Sequence, residues 1–154
     1  RGLSARGVQP VCTFQQVFKS TYLYGAFSPI NGDSFMLELP FCNSDCFQLF
    51  LDIFSKQNEE VFKIIILDNG AFHKAKQLKI PENILLIFLP PYSPELNPAE
   101  KIWQRFKRVF TNQLFKTLDE VSDFFSTMIN ELSNETIISI CSFKYIFEGL
   151  NWSN

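Results

Sequence analysis

The chain has 154 residues and 46% of them are hydrophobic, which allows one domain with a buried core and excludes a disordered or collagen-like protein. No apolar run approaches the roughly 18 residues of a membrane span, so no membrane partner is expected. The net charge of −2 is unevenly distributed: residues 63–116 hold nine Lys and Arg against four Asp and Glu, and the remainder holds five against twelve. A basic middle segment suits binding to a phosphate backbone, although solvated lysines on helix faces would produce the same charge distribution.

The first part of the chain predicts an antiparallel meander of three strands followed by a helix. Residues 11–18 and 21–28 are rich in β-branched and aromatic residues, and residues 34–40 alternate apolar and polar positions after a turn that contains Gly32. Asn43 or Ser44 can cap the helix. Its apolar stripe has three- and four-residue spacing and comprises Phe47, Phe50, Leu51 and Phe54.

Two short apolar runs then predict adjacent parallel strands. Residues 62–67 are apolar except for Lys63, and residues 84–89 are continuously apolar, which is typical of strands buried on both faces. A short helix at 73–78, stopped near Pro81, is expected between them.

Three helices complete the predicted order of elements. Asn97 as N-cap, Pro98 at the first helical position and Glu100 at the third mark the first one. Residues 117–120 form a capping box that opens a helix through Leu132, and residues 135–148 predict the last helix. The pattern is that of a mixed α/β layered domain.

Two carboxylates stand out by position. Asp68 follows the first buried strand, and Glu100 lies in the first turn of the helix after the second, so adjacent strands would bring both to one edge of the sheet. Two or three converging carboxylates with no His or Cys are the oxygen ligands that Mg²⁺ or Mn²⁺ selects. Two structural alternatives stay open: Asp68 starts an Asp-Asn-Gly turn, and Glu100 can simply cap its helix.

Two motifs give the chain a family resemblance. LDN-x-x-x-H at residues 67–73, and LPPYSPELNP-x-E-x-x-W at 89–103 with its basic continuation, resemble the second half of a DDE transposase catalytic domain. The branch is that of the bacterial insertion sequences of the mariner superfamily. GVQPV and YLYGAFSP-x-NG upstream also fit, so the similarity spans about residues 5–110.

The resemblance implies an RNase H-like mixed sheet with flanking helices and a metal-dependent domain that cleaves and transfers DNA strands. Asp68 becomes the second acid and Glu100 the third, both catalytic and both ligands of Mg²⁺ or Mn²⁺. The domain is expected over residues 1–116, with the helices of 117–154 packing on it. The implied partners are double-stranded DNA, as transposon ends and target, and a second transposase copy. The implied location is the bacterial cytoplasm at the nucleoid.

One departure from the family concerns the first catalytic acid and the first strand. Nothing acidic precedes Asp33, which lies in the predicted hairpin turn and is not expected to point into the site. The chain is therefore expected to lack the first strand with its Asp, as a truncated or split copy that is inactive alone. The alternative is a non-catalytic remnant that binds DNA or intact transposase and interferes with it.

Neighbouring residues complete the predicted site. Supporting roles fall to residues beside the two acids or on the same helix face: Asn69, His73, Asn97 and Gln104. His73 has a plainer interpretation as a local hydrogen-bonding residue. Basic residues at the rim are predicted to hold DNA phosphates. They are Lys74, Lys76, Lys101, Arg105, Lys107 and Arg108. Trp103 is assigned to core packing rather than base stacking.

Overall fold

A computed structural model describes residues 20–70, 73, 75, 77–111 and 113–150. The strands are β1 (Tyr22–Phe27), β2 (Ser34–Leu39), β3 (Lys63–Leu67) and β4 (Ile84–Phe88). The α-helices are α1 (Ser44–Lys56), α2 (Ala99–Phe110), α3 (Leu118–Asn130), α4 (Asn134–Cys141) and α5 (Lys144–Leu150). A 3₁₀ turn spans Pro94–Leu96.

β1 and β2 form the predicted hairpin. They pair antiparallel with Tyr22 opposite Leu39 and Phe27 opposite Ser34. Gly32 adopts a φ of 74° in the turn, a left-handed conformation that glycine allows without steric cost. The predicted strand at 11–18 lies outside the described residues.

Helix α1 packs one apolar face against both sheets. Asn43 caps it by accepting a hydrogen bond from the Cys46 N–H at 2.9 Å, as the sequence predicted. Phe47, Phe50 and Leu51 are buried, and Leu51 has no exposed surface. They share one core with Leu39 of β2, Leu67 of β3 and Ile84 of β4. The α1 core therefore holds the two sheets together.

β3 and β4 are adjacent and parallel, as predicted, with Lys63 opposite Ile84 and Leu67 opposite Phe88. The prediction that they are buried on both faces is wrong. Ile65 and Leu86 pack toward α1, whereas the alternate side chains are on an exposed face. These are Ile64 (57% exposed), Ile66 (37%), Leu85 (46%) and Ile87 (45%). Uniform apolar sequence does not reveal which face receives a covering helix.

A second core lies on the other side of the hairpin. It comprises Ile102, Phe106, Met128, Leu132, Ile137 and Cys141. Leu23, Phe27 and Met36 of the hairpin pack against it, whereas Tyr24, Ala26 and Phe35 pack toward α1. The hairpin is thus sandwiched between two helical layers. Mixed α/β architecture is confirmed, and the arrangement is consistent with an RNase H-like fold.

The C-terminal helices differ in detail from the prediction. Thr117 caps α3 by accepting from the Glu120 N–H at 3.2 Å, but α3 ends at Asn130 rather than Leu132. The single helix expected at 135–148 is two helices, because Ser142 leaves the helical region at φ −73° and ψ 73°. The bend brings Phe143 under the Lys101 ammonium, 4.3 Å from the ring centroid. A tertiary contact of this kind leaves no periodic signal in the sequence.

The short helix predicted at 73–78 includes residues 74 and 76, which are outside the described residues. Within the part of the chain that is described, no helix combines the length and apolar character needed to cross a membrane.

We expect Leu51→Ala to lower the free energy of unfolding by about 2–5 kcal/mol, because it leaves a cavity in the α1 core that holds both sheets. Leu49→Ala on the same helix is the matched control: Leu49 is 45% exposed, so its loss should cost under about 1 kcal/mol. Urea unfolding followed by circular dichroism measures both. Equal losses for the two variants would contradict this account of the core.

Candidate active site

Asp68 is the first residue after β3, and local bonds hold its carboxylate. Its Oδ1 accepts a hydrogen bond from the Gly70 N–H at 2.9 Å and lies 3.0 Å from Nδ1 of His73. The Asp68 side chain is nonetheless 54% exposed. The carboxylate is therefore both positioned and accessible.

The residues around Asp68 are tied to the end of the neighbouring strand. The Leu89 N–H donates to the Leu67 carbonyl at 2.9 Å, and the Asn69 side-chain amide donates back to the Leu89 carbonyl. Space is tight at Gly70, where an added Cβ would stand 3.1 Å from Asp68 Oδ1 and 3.2 Å from His73 Nδ1. Asn69 thus connects the turn after β3, which contains Asp68, to the residue that follows β4.

His73 closes the turn over Asp68. Its side chain is 15% exposed and its ring centroid lies 4.6 Å from that of Phe47 in α1. Burial lowers the pKa of His73 below its usual 6.5, while the hydrogen bonds and the negative charge of Asp68 act in the opposite direction. The neutral imidazole is favoured, so His73 orients the carboxylate chiefly as a hydrogen-bonding group.

Glu100 lies in the first turn of α2, where the helix start fixes its position. The Ala99 N–H donates to Asn97 Oδ1 at 3.1 Å, and the Glu100 N–H donates to the Asn97 carbonyl at 3.1 Å. Pro98 has helical dihedral angles just before the first residue of α2. The predicted N-cap is wrong by one residue: Pro98, not Asn97, precedes the first residue of α2, and Pro98 has no side chain that can cap the helix. Asn97 lies one residue earlier, and its side chain bonds only the first N–H of α2.

One cleft of about 1050 Å³ collects the two acids and several of their neighbours. Its lining includes Asp68, His73, Asn97 and Glu100. Asp33 also belongs to the lining, with its Oδ2 accepting from the Asn31 side chain at 2.6 Å in the hairpin turn. Both predicted acids border this cleft.

The predicted DNA-binding residues have different surroundings. Lys74 and Lys76 lie outside the described residues. Exposed positions on α2 are occupied by Gln104, Arg105, Lys107 and Arg108. Lys101 sits over the Phe143 ring, and Arg105 borders a small surface pocket beside Glu131. Trp103 packs edge-on against Phe27 at 5.3 Å between centroids, as the core assignment predicted.

One contact that supports the site was missed from the sequence. The Tyr145 hydroxyl of α5 donates to the Leu96 carbonyl, in the 3₁₀ turn just before α2. The last helix thereby steadies the loop that leads to Glu100. A tyrosine in a short terminal helix carries no signal of this pairing in the sequence.

The chain belongs to the DDE superfamily endonucleases, whose family pattern it matches over residues 1–122. It is also 38% identical over 102 residues to the uncharacterized protein y4pE/y4sA of Sinorhizobium fredii (strain NBRC 101917 / NGR234). That match covers 65% of this chain and 76% of the relative. No solved structure matches the chain.

The donor chemistry at the cleft fits a hard divalent cation in part. Asp68 and Glu100 supply carboxylate oxygens, the ligand type that Mg²⁺ and Mn²⁺ prefer. Within the described residues, no group of three or more His, Cys, Asp and Glu side chains is placed to hold a metal together. The two carboxylates are suitable ligands for such a cation, but at least one further ligand is needed to complete the site.

The pKa of His73 should be measurable directly, because it is the chain's single histidine. Proton NMR of the metal-free protein should give a midpoint below 6.5. Asp68→Asn should lower it further, since the Asp68 charge raises it, whereas Asp119→Asn on α3 should leave it unchanged.

The same shift predicts a pH dependence of stability. Because the folded state favours neutral His73, the unfolded chain binds the proton first as the pH falls. The contribution of His73 is therefore complete above about pH 6.5 and is lost as the pH falls toward the folded pKa. Urea unfolding across this range, with His73→Gln as comparison, measures the slope; a slope identical in both proteins would contradict the burial argument.

Proposed function

We propose that this chain is the metal-dependent DNA strand-cleaving and strand-transferring domain of a DDE transposase of the bacterial insertion-sequence type. The observation that carries the proposal is the position of Asp68 and Glu100 in the lining of one cleft. Membership of the DDE superfamily endonucleases supports the same chemistry. The natural substrate is double-stranded DNA, both as transposon end and as target, which fits a place at the bacterial nucleoid.

In this proposal Asp68 and Glu100 hold Mg²⁺ or Mn²⁺. A bound divalent ion supplies charge stabilisation for phosphodiester cleavage and activation of water or a 3′-hydroxyl. The residues of this chain orient the two carboxylates. The Gly70 N–H and His73 hold Asp68 Oδ1, the Asn69 amide ties the turn to β4, and Asn97 starts the helix that presents Glu100.

Two acids leave the proposed site short of one carboxylate. We propose that a further acid is needed for cleavage, and that a polypeptide of residues 1–154 alone has little or no activity. Residues 1–116 would then form the part of the catalytic domain present here, and the helices of 117–154 would pack on it. The packing of α4 against α2 in the second core supports this division of roles.

Basic side chains on α2 provide the proposed contact with the DNA backbone. Lys107 and Arg108 are exposed in the last turn of the helix that carries Glu100 near its start. Such residues attract phosphates without reading the base sequence.

Metal binding can be tested without activity by using the single histidine as a probe. Mn²⁺ bound by Asp68 and Glu100 should broaden the His73 proton signal at low stoichiometry, because His73 touches Asp68. Glu100→Gln should weaken this effect, since it removes a ligand without touching His73. Glu95→Gln, an exposed acid in the 3₁₀ turn before α2, is the matched control and should behave as wild type.

Broadening that is unaffected by Glu100→Gln would remove Glu100 from the proposed site. Cleavage provides a second measurement. A polypeptide extended upstream to include an Asp should nick a matched transposon end in Mg²⁺ or Mn²⁺, and Glu100→Ala should reduce nicking to background. Unchanged nicking would falsify the catalytic assignment.

DNA binding should depend on salt through the α2 cations. Replacing both Lys107 and Arg108 by Gln should lower the slope of log affinity against log salt by about 2, because each phosphate contact contributes about 0.9. The control replaces Lys56 and Lys144, two exposed lysines at the end of α1 and the start of α5, and removes the same charge. Equal slopes for both double variants would indicate only a general charge effect.

A second candidate is a non-catalytic protein that binds DNA or intact transposase and interferes with it. The absence of a three-acid group among the described residues favours this possibility. Co-expression with a complete relative, followed by a pull-down and a transposition count, distinguishes it. Inhibition by the Glu100→Gln chain would support interference without catalysis, whereas no association and no inhibition would eliminate it.

A further inference from the structure

One face of α1 holds the chain that leads from β3 to β4. This stretch, the 69–79 segment, is described at residues 69, 70, 73, 75 and 77–79. The His73 ring centroid lies 4.6 Å from that of Phe47. The Gln77 side-chain amide donates to the Ser44 hydroxyl at 3.2 Å. Because Ser44 and Phe47 are neighbours on the surface of the helix, the segment lies along α1.

Gln48, on the same face of α1, makes a two-point contact with the backbone of one residue in this segment. Its Oε1 accepts from the Lys79 N–H at 2.7 Å, and its Nε2 donates to the Lys79 carbonyl at 2.8 Å. The same Nε2 donates to Asp52 Oδ1 at 2.8 Å, one turn further along the helix. Since a carboxylate can only accept, Asp52 fixes which end of the amide faces the Lys79 carbonyl.

The pair of bonds to Lys79 also fixes where the segment lies along the helix. Leu78, the residue before Lys79, packs against the α1 core, and its N–H donates to the Ala75 carbonyl at 3.1 Å. A shift of the segment along α1 would break both Gln48 bonds and move Leu78 out of its place at the core. The end of the segment is therefore held by polar and apolar contacts at once.

The other end of the segment carries the groups that bond Asp68. The His73 N–H donates to the Gly70 carbonyl at 3.0 Å, and His73 Nδ1 lies 3.0 Å from Asp68 Oδ1. The Asp68 side chain is 54% exposed, so its orientation depends on the bonds from His73 and from the Gly70 N–H. Gln48 is not part of the cleft lining, yet it is connected to Asp68 through the 69–79 segment.

We propose that Gln48 is a positioning residue for Asp68. Gln48 fixes Lys79 and with it the end of the 69–79 segment. The segment in turn keeps His73 in place to bond the Asp68 carboxylate. The orientation of Asp68 is independent of the proposed function, whereas its consequence for metal binding rests on that function.

Gln48→Met tests the two-point contact with little change of shape. Methionine keeps a flexible, unbranched side chain of similar length but cannot pair with a peptide group. We expect the melting temperature to fall only slightly, because the lost bonds lie at the surface, where water replaces them.

Proton NMR of the full chain at about pH 8, above the titration range of a histidine, reports on the two ends of the connection. The Phe47 ring shifts the His73 ring protons in the wild type, and in Gln48→Met these signals should move toward those of an unfolded chain. Exchange of the Gly70 amide should become roughly tenfold faster, because its bond to Asp68 Oδ1 is no longer maintained.

Two further variants identify the cause of these changes. Gln48→Glu retains an acceptor for the Lys79 N–H but turns a second oxygen toward the Lys79 carbonyl and Asp52, so it should act as Gln48→Met does. Gln113→Met, at an exposed glutamine after α2, is the matched control and should leave the His73 and Gly70 signals unchanged. Agreement between a charged and an apolar replacement would identify the lost hydrogen bonds as the cause.

Mn²⁺ titration of the same proteins connects Gln48 to the proposed metal site. Replacement of a residue that orients a metal ligand typically weakens metal binding about 10–100-fold. Gln48 acts on Asp68 through an intervening segment, so Gln48→Met should weaken Mn²⁺ binding by about tenfold, the lower end of this range. The broadening of the Gly70 amide signal measures it, and Gln113→Met should bind as the wild type does.

A merely structural role would lower the melting temperature and leave the His73 and Gly70 signals of the folded protein in place, and this result would overturn the proposal. So would equal Mn²⁺ affinity in Gln48→Met and the wild type. If the wild type binds no Mn²⁺, the proposed metal site fails, and the His73 and Gly70 signals alone decide the role of Gln48. If only one of the two Gln48 variants folds, that variant decides; failure of both to fold would overturn the proposal, because it requires an α1 core that is stable without these bonds.

Discussion

The packing of α1 against both small sheets is the constraint on which the rest of the structure depends. The two sheets share no hydrogen-bonded strand pair among the described residues, so their relative position depends on side-chain burial around Phe50 and Leu51. That burial sets β1 and β3 on opposite walls of one cleft. The position of Asp68 at the end of β3 therefore depends on a hydrophobic contact rather than on a continuous sheet.

The polar interactions at the cleft have a smaller and more local effect. His73 and the Gly70 N–H both bond Asp68 Oδ1, and the tight space at Gly70 leaves little room for other side chains. Burial lowers the pKa of His73, which favours its neutral form, so His73 holds Asp68 chiefly as a hydrogen-bonding group.

Much of the local structure could be predicted because its causes are local. Capping by Asn43 and Thr117 follows from side chains that reach backbone N–H groups three residues away. The hairpin follows from alternation and from the glycine in its turn. The break at Ser142 and the exposed faces of β3 and β4 could not be predicted, since they depend on which distant residues supply contacts.

For the candidate site, the sequence alone determined the prediction of two acids, their place after a strand and at a helix start, and the family to which the chain belongs. These depend on residue order and spacing, which the chain carries in itself. Only the tertiary structure decided that Asp68 and Glu100 border one cleft and that Lys101 covers Phe143. Such features arise from packing between distant segments, where the free energy depends on shape and burial that no short stretch of sequence records.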